Sequence, residues 1–187
     1  MWLLDTCSII NLSYCSPIAT TFKNRYQGKA GWARAVREEL TAQRSRTPPN
    51  PQAGRASNWA VSWLGDSILV VDESRMVNIE ATQRRIKRNS GASELEHLGE
   101  AASIDILFNV GQGRLISDDH AARSEARRVG VRASSTIGIF AKLLALPSSP
   151  ISTQDVDTYL NLLRQHKRLH MSLTSSDLLA SNLGAWA

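Results

Sequence analysis

Acidic residues at four places along the chain have the types and settings to do chemistry together. Asp5 closes the apolar run Met1-Trp2-Leu3-Leu4, Glu39 lies in a helical stretch, Glu100 opens another, and Asp118-Asp119 closes Leu115-Ile116-Ser117. In an α/β sheet, ligands collect beyond the carboxyl ends of parallel strands, so two acids that end strands and two on the helices that follow can converge on one point. Converged carboxylates need a cation. Oxygen donors suit the hard ions Mg²⁺ or Mn²⁺, which keep waters and take phosphate oxygens as further ligands. A water activated by such a metal is aimed in line at a phosphodiester. Cys7 and Cys15 are the only cysteines, with no CxxC and no paired Cys/His spacing, so no soft metal site competes.

Helical phase separates neighbouring acids. Glu39 lies three residues after Val36, four after Ala35 and seven after Trp32, on the inward side, where a carboxylate is costly without a cation. Glu38 lies four after Arg34 and reads as a solvated ion-pair partner. Glu100 precedes Ile104 by four and Leu107 by seven, while its competitor Asp105 follows Ala101 by four and precedes Phe108 by three. Asp5 taken alone would read as a helix cap, and Asp118 reads either as a site residue or as the cap of a helix beginning near His120. His97, His120, His166 and His170 fall in no ligand spacing or triad.

The segments Leu3-Leu4-Asp5-Thr6-Cys7-Ser8, Val36-Arg37-Glu38-Glu39-Leu40, Leu98-Gly99-Glu100-Ala101 and Leu115-Ile116-Ser117-Asp118-Asp119-His120-Ala121-Ala122-Arg123, in this order, resemble the PIN-domain nucleases. The last of these segments, running on from Leu115 through Arg127 to Gly138, is similar to that family's final strand-helix-strand-helix. The resemblance implies a metal-dependent ribonuclease with Asp5, Glu39, Glu100 and Asp119 as catalytic metal ligands. The resemblance also admits Asp118 to the metal site, as an alternative to its capping role, and implies Thr6 and Ser117 as accessory residues. It favours Glu100 over Asp105, and its Ser/Thr-any-acid pattern favours Asp119. It implies Mg²⁺ or Mn²⁺ as cofactor and 5′-phosphate and 3′-hydroxyl products. Most compact members are toxins, so it also implies the toxin of a type II toxin-antitoxin pair, of the virulence-associated kind. RNA is then the substrate, and an antitoxin protein and a second copy of the chain are the protein partners it leaves open. The alternatives are an RNA-processing or structure-specific nuclease without antitoxin, and a catalytically decayed PIN-fold binding module, which the presence of all four acids weakens. A haloacid-type hydrolase is excluded because Cys7 stands where it needs a second Asp.

The elements that must position these residues alternate. Strands are predicted over residues 2–4, 67–71, 114–117 and 131–133. Helices are predicted from just after Asp5, over 29–43, 56–64, 76–88, 95–110, 120–129 and 136–146, and Pro48, Pro49 and Pro51 mark a loop over 45–54. This alternation predicts an α/β, PIN-like, doubly wound parallel sheet flanked by helices. Pro147-Ser148-Ser149-Pro150 breaks the chain into a nuclease domain, residues 1–146, and a helical carboxy-terminal extension, residues 147–187. The extension carries an amphipathic helix over 154–166 and a last short helix capped by Ser175 or Ser176, with Leu178, Leu179, Leu183 and Trp186 on one face. Trp2, Trp32, Trp59 and Trp63 are expected in the core.

A net charge of +5 and a pI near 9.6 favour a polyanionic partner. Arg84, Arg85, Lys87 and Arg88 form the densest basic cluster and the expected RNA contact, with Arg34, Arg37 and Arg123 nearer the acids. No apolar run approaches the roughly 18 residues of a membrane span, and the amino terminus lacks a basic leader, so a cytoplasmic protein is expected.

Overall fold

The computed structural model describes residues 1–45, 50–90, 97–166, 169 and 173–180, the side chains of 88–90 excepted. Pro48, Pro49, Leu95, His170, Leu183, Trp186 and the side chain of Arg88 lie outside the described residues.

Trp2–Leu4 form β1, continuously apolar because the strand lies at the centre of a sheet. Asp5 then caps α1 (Thr6–Leu12), and Pro17 starts α2 (Ser16–Tyr26) at a position where no helical amide bond is lost. The chain returns through β2 (Ala30–Gly31) and runs into α3 (Arg34–Ser45), α4 (Pro51–Leu64), α5 (Glu73–Ser90) and α6 (Leu98–Val110). β3 (Arg114–Ile116), α7 (His120–Arg128), β4 (Arg132–Ser134) and α8 (Thr136–Leu144) follow, then α9 (Thr153–Gln165) and α10 (Ser175–Ala180).

The four strands form one sheet in the order β2-β1-β3-β4, every pair parallel. The order reverses at β1, so right-handed crossovers carry the connection to β2 and the connection to β3 over opposite faces. α6 packs against β1 and β3 and is buried around its circumference from Gly99 to Leu107, which is why its sequence shows little amphipathic pattern. α3, α5 and α7 pack around it. On the other side, Phe22 of α2, Phe140 of α8 and Tyr159 of α9 meet edge to face or tilted, with Phe140 and Tyr159 centroids 5.1 Å apart. The expected core tryptophans divide: Trp32 and Trp63 are buried, and Trp2 and Trp59 are half-buried against the core.

Four local expectations are corrected. The predicted helix over 29–43 opens instead with β2, because Trp2 and Leu3 of β1 pair with Ala30 and Gly31, and the helix begins at Arg34. The predicted strand 67–71 reduces to one bridge, Ala33 to Ile68, and Leu69 and Val71 stand exposed, with no further strand pairing among the described residues. Within the predicted loop 45–54, Pro51 is already helical, because the Asn50 side chain accepts from the amides of Gln52 and Ala53. The last helix is capped by Thr174, whose hydroxyl accepts from Asp177 N, while Ser175 bonds to Asp157 of α9.

α9 buries Val156, Tyr159, Leu160 and Leu163, and packs against α2, while α10 packs on α8 and α9 through Leu178. The described part of the carboxy-terminal segment therefore docks on its own core. No helix of the described residues is long and apolar enough to cross a membrane.

Candidate functional site

The acids gather at the carboxyl end of the sheet, each turned onto a specific donor. Asp5 is fully buried; its Oδ1 accepts from Ser8 N at 2.6 Å, capping α1, and its Oδ2 accepts from Ser117 Oγ at 2.5 Å. Ser117 Oγ in turn accepts from Asp119 N at 3.1 Å, so one hydroxyl joins the ends of β1 and β3 to the start of α7. Glu39 is half-buried, with Oε1 accepting from Gly99 N at 2.8 Å and Oε2 accepting a short hydrogen bond from Thr6 Oγ1. This approach of α3 to α6 needs a glycine, since a Cβ at position 99 would lie 2.8 Å from Val36 Cγ2 and 3.0 Å from Glu39 Oε2.

Glu100 is 4 % exposed, and its Oε2 has no hydrogen-bond partner among the described residues. A buried carboxylate oxygen without a donor is the costliest polar arrangement in the site. Burial, and next the charge of Glu100, push Asp5 well above the usual carboxylate range, against the opposing bonds from Ser117 and Ser8. The same two causes, in the same order, raise Glu39 from 4.5 to about 7, opposed by Thr6, Gly99 and His97.

Asp118 and Asp119 take separate parts. Asp119, not Asp118, caps α7, accepting from Ala122 N at 2.9 Å. Asp118 accepts from Asn11 Nδ2 at 2.8 Å and from Thr136 N at 2.8 Å, and Thr136 Oγ1 lies 2.9 Å from both of its oxygens. Thr136 Oγ1 also shares a 3.0 Å hydrogen bond with the buried Tyr159 hydroxyl, tying the acid cluster to α9. Asp105, the competitor of Glu100, is held at 2.6 Å by Arg75 and belongs to a different part of α6.

The basic residues divide in the same way. Arg123 donates to Ser117 O at 2.9 Å; burial disfavours its charge, and Asp118, Asp119 and Asp5 favour it. Arg34 and Arg37 are exposed on α3, and Arg34 pairs with the exposed Glu38 at 2.9 Å, the pairing expected from their spacing. On α5, Arg84 pairs with Glu80 at 3.1 Å, and Arg85 donates to the buried Glu125 at 2.6 Å, a carboxylate that Arg128 also holds. Lys87 is half-buried on the same helix.

Three residues of the cluster carry no signal in the sequence strong enough to single them out. His97 precedes α6 in a left-handed conformation, φ 71°, and its Nδ1 lies 3.8 Å from both Glu100 Oε1 and Asp119 Oδ2. Its position three residues before Glu100 is the one local signal. Asn11 and Thr136 meet Asp118 across 107 and 18 residues of chain, and no local pattern marks them.

Carboxylate oxygens, with one imidazole at the edge, are the donor chemistry of a hard divalent cation, and the partnerless Glu100 Oε2 is the oxygen such an ion would satisfy. Among the described residues, no three His, Cys, Asp or Glu side chains are drawn together closely enough to hold a metal ion. Asp5, Glu39, Asp118 and Asp119 instead each point to their own amide or hydroxyl donors. No protein-family model, no curated protein and no solved structure matches the chain, so its function is argued from these residues.

Proposed function

We propose that the chain is a metal-dependent ribonuclease of PIN-like fold that hydrolyses RNA phosphodiesters at the carboxyl end of the sheet. The observation that carries this reading is Glu100: buried, with an oxygen lacking a donor among the described residues, and adding its charge to the burial that already raises Asp5 and Glu39 above the usual carboxylate range. A divalent cation brought among these carboxyls would offset the repulsion that opposes their ionisation.

Asp5, Glu39, Glu100 and Asp119, with Asp118 beside them, would hold Mg²⁺ or Mn²⁺ only after turning from the donors they now face, since among the described residues no three of them are drawn together closely enough to hold an ion. When bound, the ion supplies Lewis acidity toward a water and a phosphate oxygen. The rest is done by the chain. Ser117 and Ser8 fix the Asp5 carboxyl in one orientation, and Thr6 and the Gly99 amide do the same for Glu39. Arg123, held by the Ser117 carbonyl, supplies a cation at the edge of the acids where a phosphate would enter.

The test is cleavage of a panel of structured RNAs with and without Mn²⁺, run beside thermal melts. Asp5→Asn and Glu100→Gln should lose metal-dependent cleavage while remaining folded, and Glu38→Gln, which faces solvent, should retain it. Activity that falls only in step with the folded fraction would make the acids a capping network and overturn the reading.

A further inference from the structure

A second charged feature lies on the sheet away from the acids. Trp2 and Arg114 stand side by side in the β1-β3 register, at the start of both strands, whereas Asp5 and Ser117 follow their ends. They floor a cleft of about 470 Å³ walled by Arg25 and Tyr26 of α2, by Lys29 just beyond it, and by Lys142 of α8. The guanidinium of Arg114 sits 5.6 Å from the Trp2 ring centre and donates to Ser134 Oγ at 2.5 Å, so it is held before any ligand arrives. Trp2 is braced in turn by Tyr26, 4.7 Å away.

Four cations thus line one concavity, and its lining holds no carboxylate. Among the described residues none of the four forms a salt bridge, in contrast to Arg34, Arg75, Arg84, Arg85 and Arg128, which all do. Burial, and after it the neighbouring Arg132, lower Arg114; burial, and after it Arg114, lower Lys142. A fold with no use for this charge would gain by spacing it out, since like charges in a concave, partly desolvated wall repel. The cleft has the size of a small-ligand site, and its aromatic floor with cationic walls suits an anion attached to a flat ring.

We propose that this cleft binds the phosphate groups of a ribonucleotide, free or within an RNA strand. Lys29, Arg25 and Lys142 are exposed and can move to the anion, and Arg114 is the fixed guanidinium at the base that accepts phosphate in a set geometry. The site does not depend on hydrolysis at the acids and is tested without it.

The experiment measures binding of a fluorescein-labelled twelve-residue oligouridylate to the full chain in EDTA, over a series of salt concentrations, with ATP as a second probe. Lys29→Glu/Lys142→Glu, at two exposed positions, should weaken oligouridylate binding by at least tenfold and reduce the slope of log affinity against log salt, by roughly 0.7 for each phosphate no longer neutralised. Arg25→Ala, a milder variant, should give a smaller loss in the same direction. Arg44→Glu/Arg55→Glu changes net charge equally on exposed residues elsewhere and should cost less than threefold. Glu38→Gln, exposed on α3 and outside both sites, should leave binding unchanged, and because binding is read in EDTA without hydrolysis, failure of the catalytic reading does not touch this result. ATP binding with the same sensitivity to the Lys29/Lys142 pair identifies the free nucleotide as a ligand; binding of the oligouridylate alone identifies the strand. Equal losses in the two charge-matched pairs, or no binding of either probe by the wild type, would overturn the proposal.

Discussion

Replacing Glu39 by Gln should flatten the pH dependence of stability in metal-free buffer. The folded protein raises Glu39 from 4.5 to about 7, by burial first and by Glu100 second. Between those values the folded state holds a proton that the unfolded chain has released, so stability falls as pH rises and the loss is complete above about 7. At about 1.4 kcal/mol per pH unit, the full rise is worth about 3 kcal/mol. Groups with lowered values, Glu125 among them, act in the opposite direction at and below the ordinary carboxylate range. A start at about pH 5.5 avoids them and leaves about 2 kcal/mol of the Glu39 effect. For a chain of this length that corresponds to a fall in Tm of roughly 4–8 °C between about pH 5.5 and about pH 8. Asp5 adds to it in the same direction. The glutamine keeps an oxygen for Gly99 N and an amide for Thr6, so the fold should survive. Scanning calorimetry of wild type and Glu39→Gln in EDTA gives the difference directly. Mn²⁺ should restore wild-type stability at the upper pH more than at the lower, because the ion binds the ionised acids. The reasoning fails if the two proteins show the same slope, or if wild-type stability rises across this window relative to the variant.

Further outcomes follow from the same geometry. Gly99→Ala drives a Cβ to within 2.8 Å of Val36 Cγ2, and urea unfolding should show a loss of about 1–2 kcal/mol even after the helix-propensity gain of alanine; a gain would mean that α3 and α6 separate freely. His97→Gly relieves a left-handed backbone, φ 71°, that costs a non-glycine residue about 1 kcal/mol or more. Its Tm should therefore stay level or rise while Mn²⁺-dependent cleavage drops at least tenfold, and a parallel loss of both would make His97 a packing residue. Arg85→Ala removes one of two arginines from the buried Glu125 and should cost about 1–2 kcal/mol in urea, whereas Arg84→Ala, an exposed pair, should stay within about 0.5 kcal/mol; equal costs would remove the distinction between a structural and a surface member of this basic cluster.

What is legible in the chain, and what is not, follows the range of the interactions involved. The acid-ended strands at Asp5 and at Asp118-Asp119 are legible because a strand that ends in an acid and passes into a helix is a local event, complete within a few residues, but which acid of the pair caps α7 is not. Glu39 is legible through phase, which also assigns Glu38 to Arg34. Phase does not separate Glu100 from Asp105, since both are buried; what distinguishes their surroundings is Arg75, 30 residues away, which holds Asp105. β2 is hidden because a two-residue strand has no pattern of its own and exists only through β1. The apolar run 67–71 misleads for the converse reason: it has strand composition, but only Ile68 finds a partner. The basic run at 84–88 reads as one RNA-facing unit, and the structure gives Arg85 an inward partner that its neighbours in sequence do not reveal.

The acids also share a placement that no single motif displays. Asp5 caps α1, Asp119 caps α7, Asp118 accepts the first amide of α8, and Glu39 accepts an amide in the first turn of α6. Four helix N-termini therefore face one region, and each contributes partial positive charge that offsets a carboxylate there. This is enough to explain why four acids can be folded together without a cation, and taken alone it would make the cluster a capping device. Glu100 breaks the pattern. It sits in the first turn of α6, where a charge is welcome, but its Oε2 has no donor among the described residues, and after burial its charge is the next cause that opposes ionisation of Asp5 and Glu39. The helix N-termini make the site tolerable, and Glu100 makes it unsatisfied. On the proposed metal-dependent reading, a positive ligand would relieve that condition, and the acids would exchange their helix-terminal donors for it.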